Sequence, residues 1–385
     1  MVRVENYTYE LSDQVITTCG LKPRTRDASI YMCSKPDRAA EGVRGSFAEK
    51  MCGRDCSCNG DLSLAESRSM NPFVFLVGCA RSGTTLLERI VDAHPQIAVT
   101  PELHWITDRF KGGKWMAPEG RVTAELVAAL AEQKRFRQLA FSRQEFAGLL
   151  DDGQPVAYLT FLNRLFALFR QKKGKPLVGI KTPAFVRRVA ALHALWPEAK
   201  FIHLIRDGRD VCLSVLNWNH ANLAAGQYST WSEDPISTTA FWWDRKVRSG
   251  RQAGRSLEAE LYHEIRYEDL VARPAKTCTS LCEFLGVLYD DAMLRFHEGR
   301  TRNEQGLDAK NAWRPITPGL RDWRIQMPPE QVERFEAAAG ELLDELGYPR
   351  AFPHPAPECL AQSARVRDSF AESIRAHRQL LAQPS

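Results

Sequence analysis

No stretch of this 385-residue chain is apolar for long enough to cross a bilayer. The longest apolar run, Pro72 to Ala80, falls far short of the ~20 residues a spanning helix needs. No secretory leader is expected either, because Glu5, Glu10 and Asp13 interrupt the stretch where its apolar core would lie. The expectation is a cytoplasmic protein with no membrane span, whose ten cysteines stay mostly reduced. Blocks of like charge and nucleic-acid-binding motifs are lacking too. Lys and Arg are scattered, so the net charge of +5 suits an anionic small-molecule ligand and no nucleic-acid partner. Cys52, Cys56 and Cys58 have no second cluster and no His nearby, so no metal site is expected there. With 44% hydrophobic and 26% charged residues, wholesale disorder is excluded, and the length suffices for one large α/β domain or two small ones.

Residues 1–70 carry no sustained periodicity, hold Cys19 and Cys33 besides the three cysteines above, and read as a poorly ordered extension. From Asn71 the pattern changes. Phe73 to Val77 reads as a buried strand ended by Gly78, and a helix follows from about Gly83 to Ala93 with Leu86, Leu87, Ile90 and Val91 on its apolar side. Ile97–Val99, Leu177–Ile180, Phe201–Ile205 and Leu261–Ile265 are further strands, with helical stretches between them. Strands alternating with helices predict a three-layer α/β/α domain over 71–350, built on a central parallel sheet. The stretch from about 121 to 171 reads as a helical insertion without strands, and 328–346 as an amphipathic helix. In 351–385 a Pro-rich linker leads to a terminal helix patterned by Val366, Phe370, Ile374, His377 and Leu381. That helix is expected to pack on the domain or on a partner, which leaves a homodimer open.

Two loops carry the chemistry. Gly78-Cys79-Ala80-Arg81-Ser82-Gly83-Thr84-Thr85 lies between a strand and a helix. Glycines allow tight turns there, and a helix N-terminus turns free N–H groups and a positive dipole end toward an anion. A nucleotide P-loop has Lys after its last glycine; here Thr84 follows Gly83, and the cation is Arg81. No acidic residue follows the Phe201–Ile205 strand to hold magnesium, since that strand runs into Arg206. The loop is therefore read as built for an anion that needs no metal, which speaks against a nucleoside-triphosphate kinase. In the second loop, Arg206 can fork onto a phosphate, and Ser214, two helical turns on, can add a hydroxyl.

Arg81-Ser82-Gly83-Thr84-Thr85-Leu86 resembles the 5′-phosphosulfate loop of sulfotransferases that use 3′-phosphoadenosine 5′-phosphosulfate (PAPS). The continuation Asp92-Ala93-His94-Pro95 resembles the branch with protein-tyrosine sulfotransferases and many bacterial enzymes. The resemblance covers roughly residues 72–348 and implies a P-loop-like architecture. It makes Arg206 and Ser214 the grip on the 3′-phosphate, sets Tyr267 of Arg266-Tyr267-Glu268-Asp269-Leu270 by the adenine, and gives Arg321 or Arg324 to a basic loop over the nucleotide. Lys181, in Gly179-Ile180-Lys181-Thr182-Pro183, resembles the family's Lys beside the sulfate.

Sulfuryl transfer resembles phosphoryl transfer: donor and acceptor are positioned, the leaving oxygen is neutralised, and the acceptor's proton is taken. Arg81 stands where a cation could stabilise the leaving phosphate. Glu102 falls, counted from Arg81, where the tyrosine-sulfating branch places its base, and His104 is the rival. Trp218, Trp231, Trp242 and Trp243 offer an aromatic wall for a small-molecule or metabolite acceptor carrying a hydroxyl or amine. Trp218 stands where the tyrosine-sulfating branch has Arg, which counts against protein tyrosine as acceptor. A non-catalytic PAPS-binding protein is the reading from another class.

Overall fold

A computed structural model describes residues 73–103, 106, 116–117, 121–298 and 314–382. The 1–70 extension with its five cysteines and the rival base His104 lie outside the described residues. In chain order the main elements are strand β1 (Phe73–Gly78), helix α1 (Thr84–Ala93), β2 (Ile97–Thr100), α2 (Tyr158–Lys173), β3 (Leu177–Lys181), β4 (Lys200–Ile205), α3 (Gly208–Leu216), α4 (Pro235–Gly254), β5 (Tyr262–Arg266), α5 (Pro274–Leu285), α6 (Pro329–Glu345) and α7 (Pro357–Ala382).

The five strands form one sheet in the order β2-β3-β1-β4-β5, and every neighbouring pair is parallel. Parallel strands need crossovers, and helices supply them on both faces. Strand β1 is apolar throughout because it is covered on both sides. Val74 and Leu76 pack with Leu87 and Ile90 of α1 and with Leu281 and Leu285 of α5. Phe75 and Val77 point the other way, into a cluster with Phe161, Leu162, Leu165 and Phe166 of α2. A third cluster joins α3, α4, α6 and α7 and takes in Cys79 after β1 and Ile205 at the end of β4. Val366 and Phe370 of α7 are buried there, so the terminal helix packs on the domain; the side chains of His377 and Leu381 are outside the described ones.

The expectation for 121–171 needs correction. Helices Ala124–Ala131, Lys134–Arg137 and Arg143–Ala147 are present, but Met116–Ala117, Arg121–Val122 and Val156–Ala157 form a small antiparallel sheet. Strands two residues long carry no period that a sequence pattern could reveal. The final helix of the stretch, α2, is the crossover into β3 rather than part of an insertion.

Register sets the site. In parallel pairing Leu76 lies opposite Lys181, Gly78 opposite Leu204, Thr100 opposite Ile180 and Ile205 opposite Arg266. The strands therefore end together, and the residues that follow them share one carboxyl edge. Successive connections diverge to opposite sides around β1, the kind of switch point where such sheets take their ligands.

Candidate active site

The first loop runs from Gly78 into α1. A side chain at Gly78 would sit 2.6 Å from the Leu204 carbonyl oxygen, so close strand approach requires glycine there. Arg81 has φ 74°, a left-handed conformation costly for a residue with a Cβ, and Gly83 has φ 94°. The turn brings Ser82 and Thr84 into the interior, leaves Thr85 and Leu86 half-buried, and starts α1 with no side-chain cap and no acidic residue in its first turn. That leaves the dipole end of a ten-residue helix available to an anion. Cys79, inside the loop, is buried, and burial pushes its thiol up to about 12, so it has no thiolate to offer.

The second loop leaves β4 at Arg206. Its guanidinium lies over the Tyr267 ring at 4.1 Å and reaches Asp210 Oδ2 at 3.3 Å. Tyr267 in turn fills the space beside Gly83, where a Cβ would come within 2.5 Å of its ring. One aromatic side chain thus spaces the two loops. Ser214, on α3, accepts a hydrogen bond from Arg81 Nε at 3.0 Å, so the two loops also meet directly. Arg81 lies under like charges: burial first, then Arg321 and Arg206, lower its guanidinium below the ordinary value. Three arginines from three segments thus act on one place.

The neighbouring Arg209 is fully buried and has a structural role. It holds Asp207 through Nε and Nη2 and Glu336 through Nη1, and it stacks on Trp323 at 3.6 Å. Trp323 donates to Asp210 Oδ1 from its backbone at 2.9 Å and to Asp207 Oδ2 from its indole at 3.1 Å. These bonds fasten the segment carrying Arg321 to the start of α3. Arg321 is half-buried beside the other two arginines, whereas Arg324 is exposed, stacked on Trp323 and paired with Asp322 at 3.5 Å. The structure thus separates two residues that the sequence left equivalent.

Lys181 ends β3 and is buried, with Glu102 Oε1 at 2.5 Å. Leu103 N donates to Thr182 Oγ1 at 3.1 Å, which ties the segment after β2 to the end of β3. Arg135 approaches Glu102 Oε2 at 3.7 Å. Sequence reasoning missed Glu88 of α1, whose Oε2 lies 2.7 Å from the Lys181 ammonium. The available signal was a carboxylate one turn into the helix that opens at the loop, just after Leu86 and Leu87.

The aromatic wall is largely core. Trp243 is fully buried with its indole donating to the Arg206 carbonyl at 3.1 Å, Trp242 is buried, and Trp231 packs against the third cluster. Of the four, Trp218 meets a loop side chain: the Arg81 guanidinium lies over its ring at 4.8 Å.

This arrangement has counterparts. The model of the Sulfotransferase family matches residues 72–291, more than half of the chain. The chain belongs to the sulfotransferase family. It is an enzyme that takes its sulfuryl group from PAPS, and the kinase and non-catalytic readings are not favoured. Protein-tyrosine sulfotransferase 1 of Danio rerio is 26% identical over 313 residues, 77% of this chain and 79% of the relative. Omega-hydroxy-beta-dihydromenaquinone-9 sulfotransferase of Mycobacterium bovis is 25% identical over 338 residues, 76% of this chain and 79% of that one. In fold the sulfotransferase resembles a sulfotransferase domain from the curacin biosynthetic pathway. The TM-score is 0.51 at 19% identity, over 72% of this chain and 98% of that domain.

Proposed function

We propose that this sulfotransferase transfers the sulfuryl group of PAPS to a hydroxyl of a small-molecule acceptor, with Glu102 as general base. The observation that carries the reading is one sheet edge holding a cluster of three arginines and, beside it, a carboxylate paired to a buried lysine. Bound PAPS supplies an activated sulfur, whose bond to the phosphate oxygen breaks as its bond to the acceptor oxygen forms.

The residues fit such a donor. Ser82 Oγ, Arg206 Nε and Arg321 Nε are buried polar atoms without a hydrogen-bond partner, and donors of this kind are costly to bury unless an anion satisfies them. In this reading the loop from Gly78 to Leu86, with the α1 terminus, cradles the 5′-phosphosulfate. Arg206 and Ser214 grip the 3′-phosphate, and Tyr267 borders the adenine. Arg321 closes over the phosphates, with Arg324 at the outer rim. Arg81 neutralises charge on the leaving phosphate, and Lys181 stands beside the sulfuryl oxygens. As an ion-paired carboxylate, Glu102 is in the form that accepts the acceptor's proton. Trp218 gives the acceptor side an apolar face.

The test is incubation with sulfur-labelled PAPS and a metabolite extract, followed by mass spectrometry of the labelled product. With that acceptor, Glu102→Gln should lose about 10²–10⁴-fold in turnover while its affinity for the desulfated nucleotide PAP stays near wild type. Retained turnover in Glu102→Gln would remove Glu102 as the base, and no labelled product from any extract would count against the small-molecule acceptor.

A further inference from the structure

Lys181 carries two carboxylates. Its side chain is 3% exposed, and its ammonium lies 2.5 Å from Glu102 Oε1 and 2.7 Å from Glu88 Oε2. Both carboxylate side chains are 15% exposed, so two acids share one cation in a largely desolvated space, where charges act strongly on one another. They come from different elements. Glu88 is on α1, Glu102 follows β2, and Lys181 ends β3. Arg135 faces Glu102 from the helix Lys134–Arg137, with half its side chain in solvent.

We propose that Glu88 is a positioning residue for the transfer: it is the standing counter-ion of Lys181, and by sharing that ammonium it keeps Glu102 basic. The inference rests on the reading of Glu102 as base. Before transfer the triad holds one positive and two negative charges. The acceptor's proton moves to Glu102 as the acceptor oxygen bonds to sulfur and the bond from sulfur to the donor's phosphate oxygen breaks. The triad then holds one charge of each sign, and Lys181 remains paired through Glu88. If Glu88 were neutral, Lys181 would bind Glu102 as its one carboxylate, and protonating Glu102 would leave a buried ammonium without a carboxylate counter-ion. Glu102 would then give up its negative charge less readily and act as a weaker base.

The experiment is a carboxyl NMR titration of the full chain labelled at glutamate, with the Glu102 resonance assigned through Glu102→Gln. In Glu88→Gln the Glu102 resonance should titrate about one pH unit or more lower than in the native chain, the direction expected when a neighbouring like charge is removed. Glu88→Asp should restore it toward the native midpoint. PAP affinity of each variant, measured by calorimetry, should stay within about twofold of native, because the effect is on proton affinity and not on donor binding. With the labelled acceptor, the single-turnover rate of Glu88→Gln should fall roughly three- to tenfold, as a weaker base requires. A Glu102 midpoint that stays in place or moves up in Glu88→Gln overturns the proposal, as does a Glu88→Asp variant that behaves like Glu88→Gln. The two readings fail separately. Retained turnover in Glu102→Gln removes Glu102 as the base, whereas an unmoved midpoint removes Glu88 as the counter-ion whatever the base.

Discussion

Asp210→Asn should stabilise this enzyme at alkaline pH and not at acid pH. Asp210 is buried in α3, with Oδ2 3.3 Å from Arg206 Nη2 and Oδ1 accepting from Trp323 N. Burial is the largest influence and raises its carboxyl from 3.8 to about 6, against the pull of Arg206 and with a further push from Asp207. A carboxyl that holds its proton more tightly when folded contributes full stability below its unfolded value and loses it as pH climbs through its folded one. One pKa unit corresponds to about 1.4 kcal/mol, so a rise from 3.8 to about 6 makes the carboxylate cost about 3 kcal/mol at pH 8. That figure already includes the pull of Arg206. Asparagine keeps the acceptor for Trp323 N but turns its amide N–H2 toward Arg206, where the protonated carboxyl still offers an oxygen lone pair, which offsets about 1–2 kcal/mol. The net gain at pH 8 is about 1–2 kcal/mol, or about 2–3 °C in Tm for a domain of roughly 300 residues. The assay is calorimetric melting without nucleotide at several pH values between 5 and 8. The Tm difference, variant minus native, should be near zero or negative at pH 5, rise through pH 6 and level off above about pH 7. A difference that is flat with pH, or that shrinks as pH rises, would refute the reasoning. The variant should also bind PAP more tightly, since Arg206 would no longer be shared with a neighbouring carboxylate.

Arg206→Ala should weaken PAP binding by roughly 1.5–3 kcal/mol and binding of the analogue without a 3′-phosphate much less, by titration calorimetry. Equal losses for both would move the 3′-phosphate elsewhere. Gly83→Ala places a Cβ 2.5 Å from the Tyr267 ring at φ 94°, so it should cost about 1–3 kcal/mol in stability and weaken PAP binding. A variant with native Tm and affinity would show that Tyr267 does not space the two loops. Activity should persist in excess chelator, because β4 runs into Arg206 rather than into an acid that could hold magnesium. Loss in chelator with rescue by magnesium would overturn that expectation.

What was legible in the sequence was local. Phe73–Gly78 and the helix after Gly83 were readable because an apolar run, glycines and a helical apolar stripe lie within twenty residues or so of one another. The same holds for the strand that runs into Arg206 and for the helix carrying Ser214. The boundaries of β1, α1, β3 and β4 fell within a residue or so of expectation for that reason. The fastening of the arginines was not legible. Arg209 sits beside Arg206 with similar neighbours, yet one is sealed against Asp207, Glu336 and Trp323 while the other keeps an unpartnered Nε. That difference depends on Glu336, which only the packing of α6 brings near.

The sequence by itself determined the parallel α/β architecture, the two anion loops and the family, since each rests on periodicity and short spacings that any folded form must respect. Tertiary structure alone decided how these parts meet. Arg81 and Ser214 are 133 positions apart and bonded, and Lys181 lies 79 positions from Glu102. Trp323, which holds the Arg321 segment, bonds Asp207 at a separation of 116. Contacts at such separations follow from strand order and register in the sheet, which bring every strand's carboxyl end to one edge. No period within a single segment encodes that order. Glu88 became part of the site through the same geometry: α1 begins at the loop, packs on the sheet beside β3, and so carries a carboxylate to Lys181.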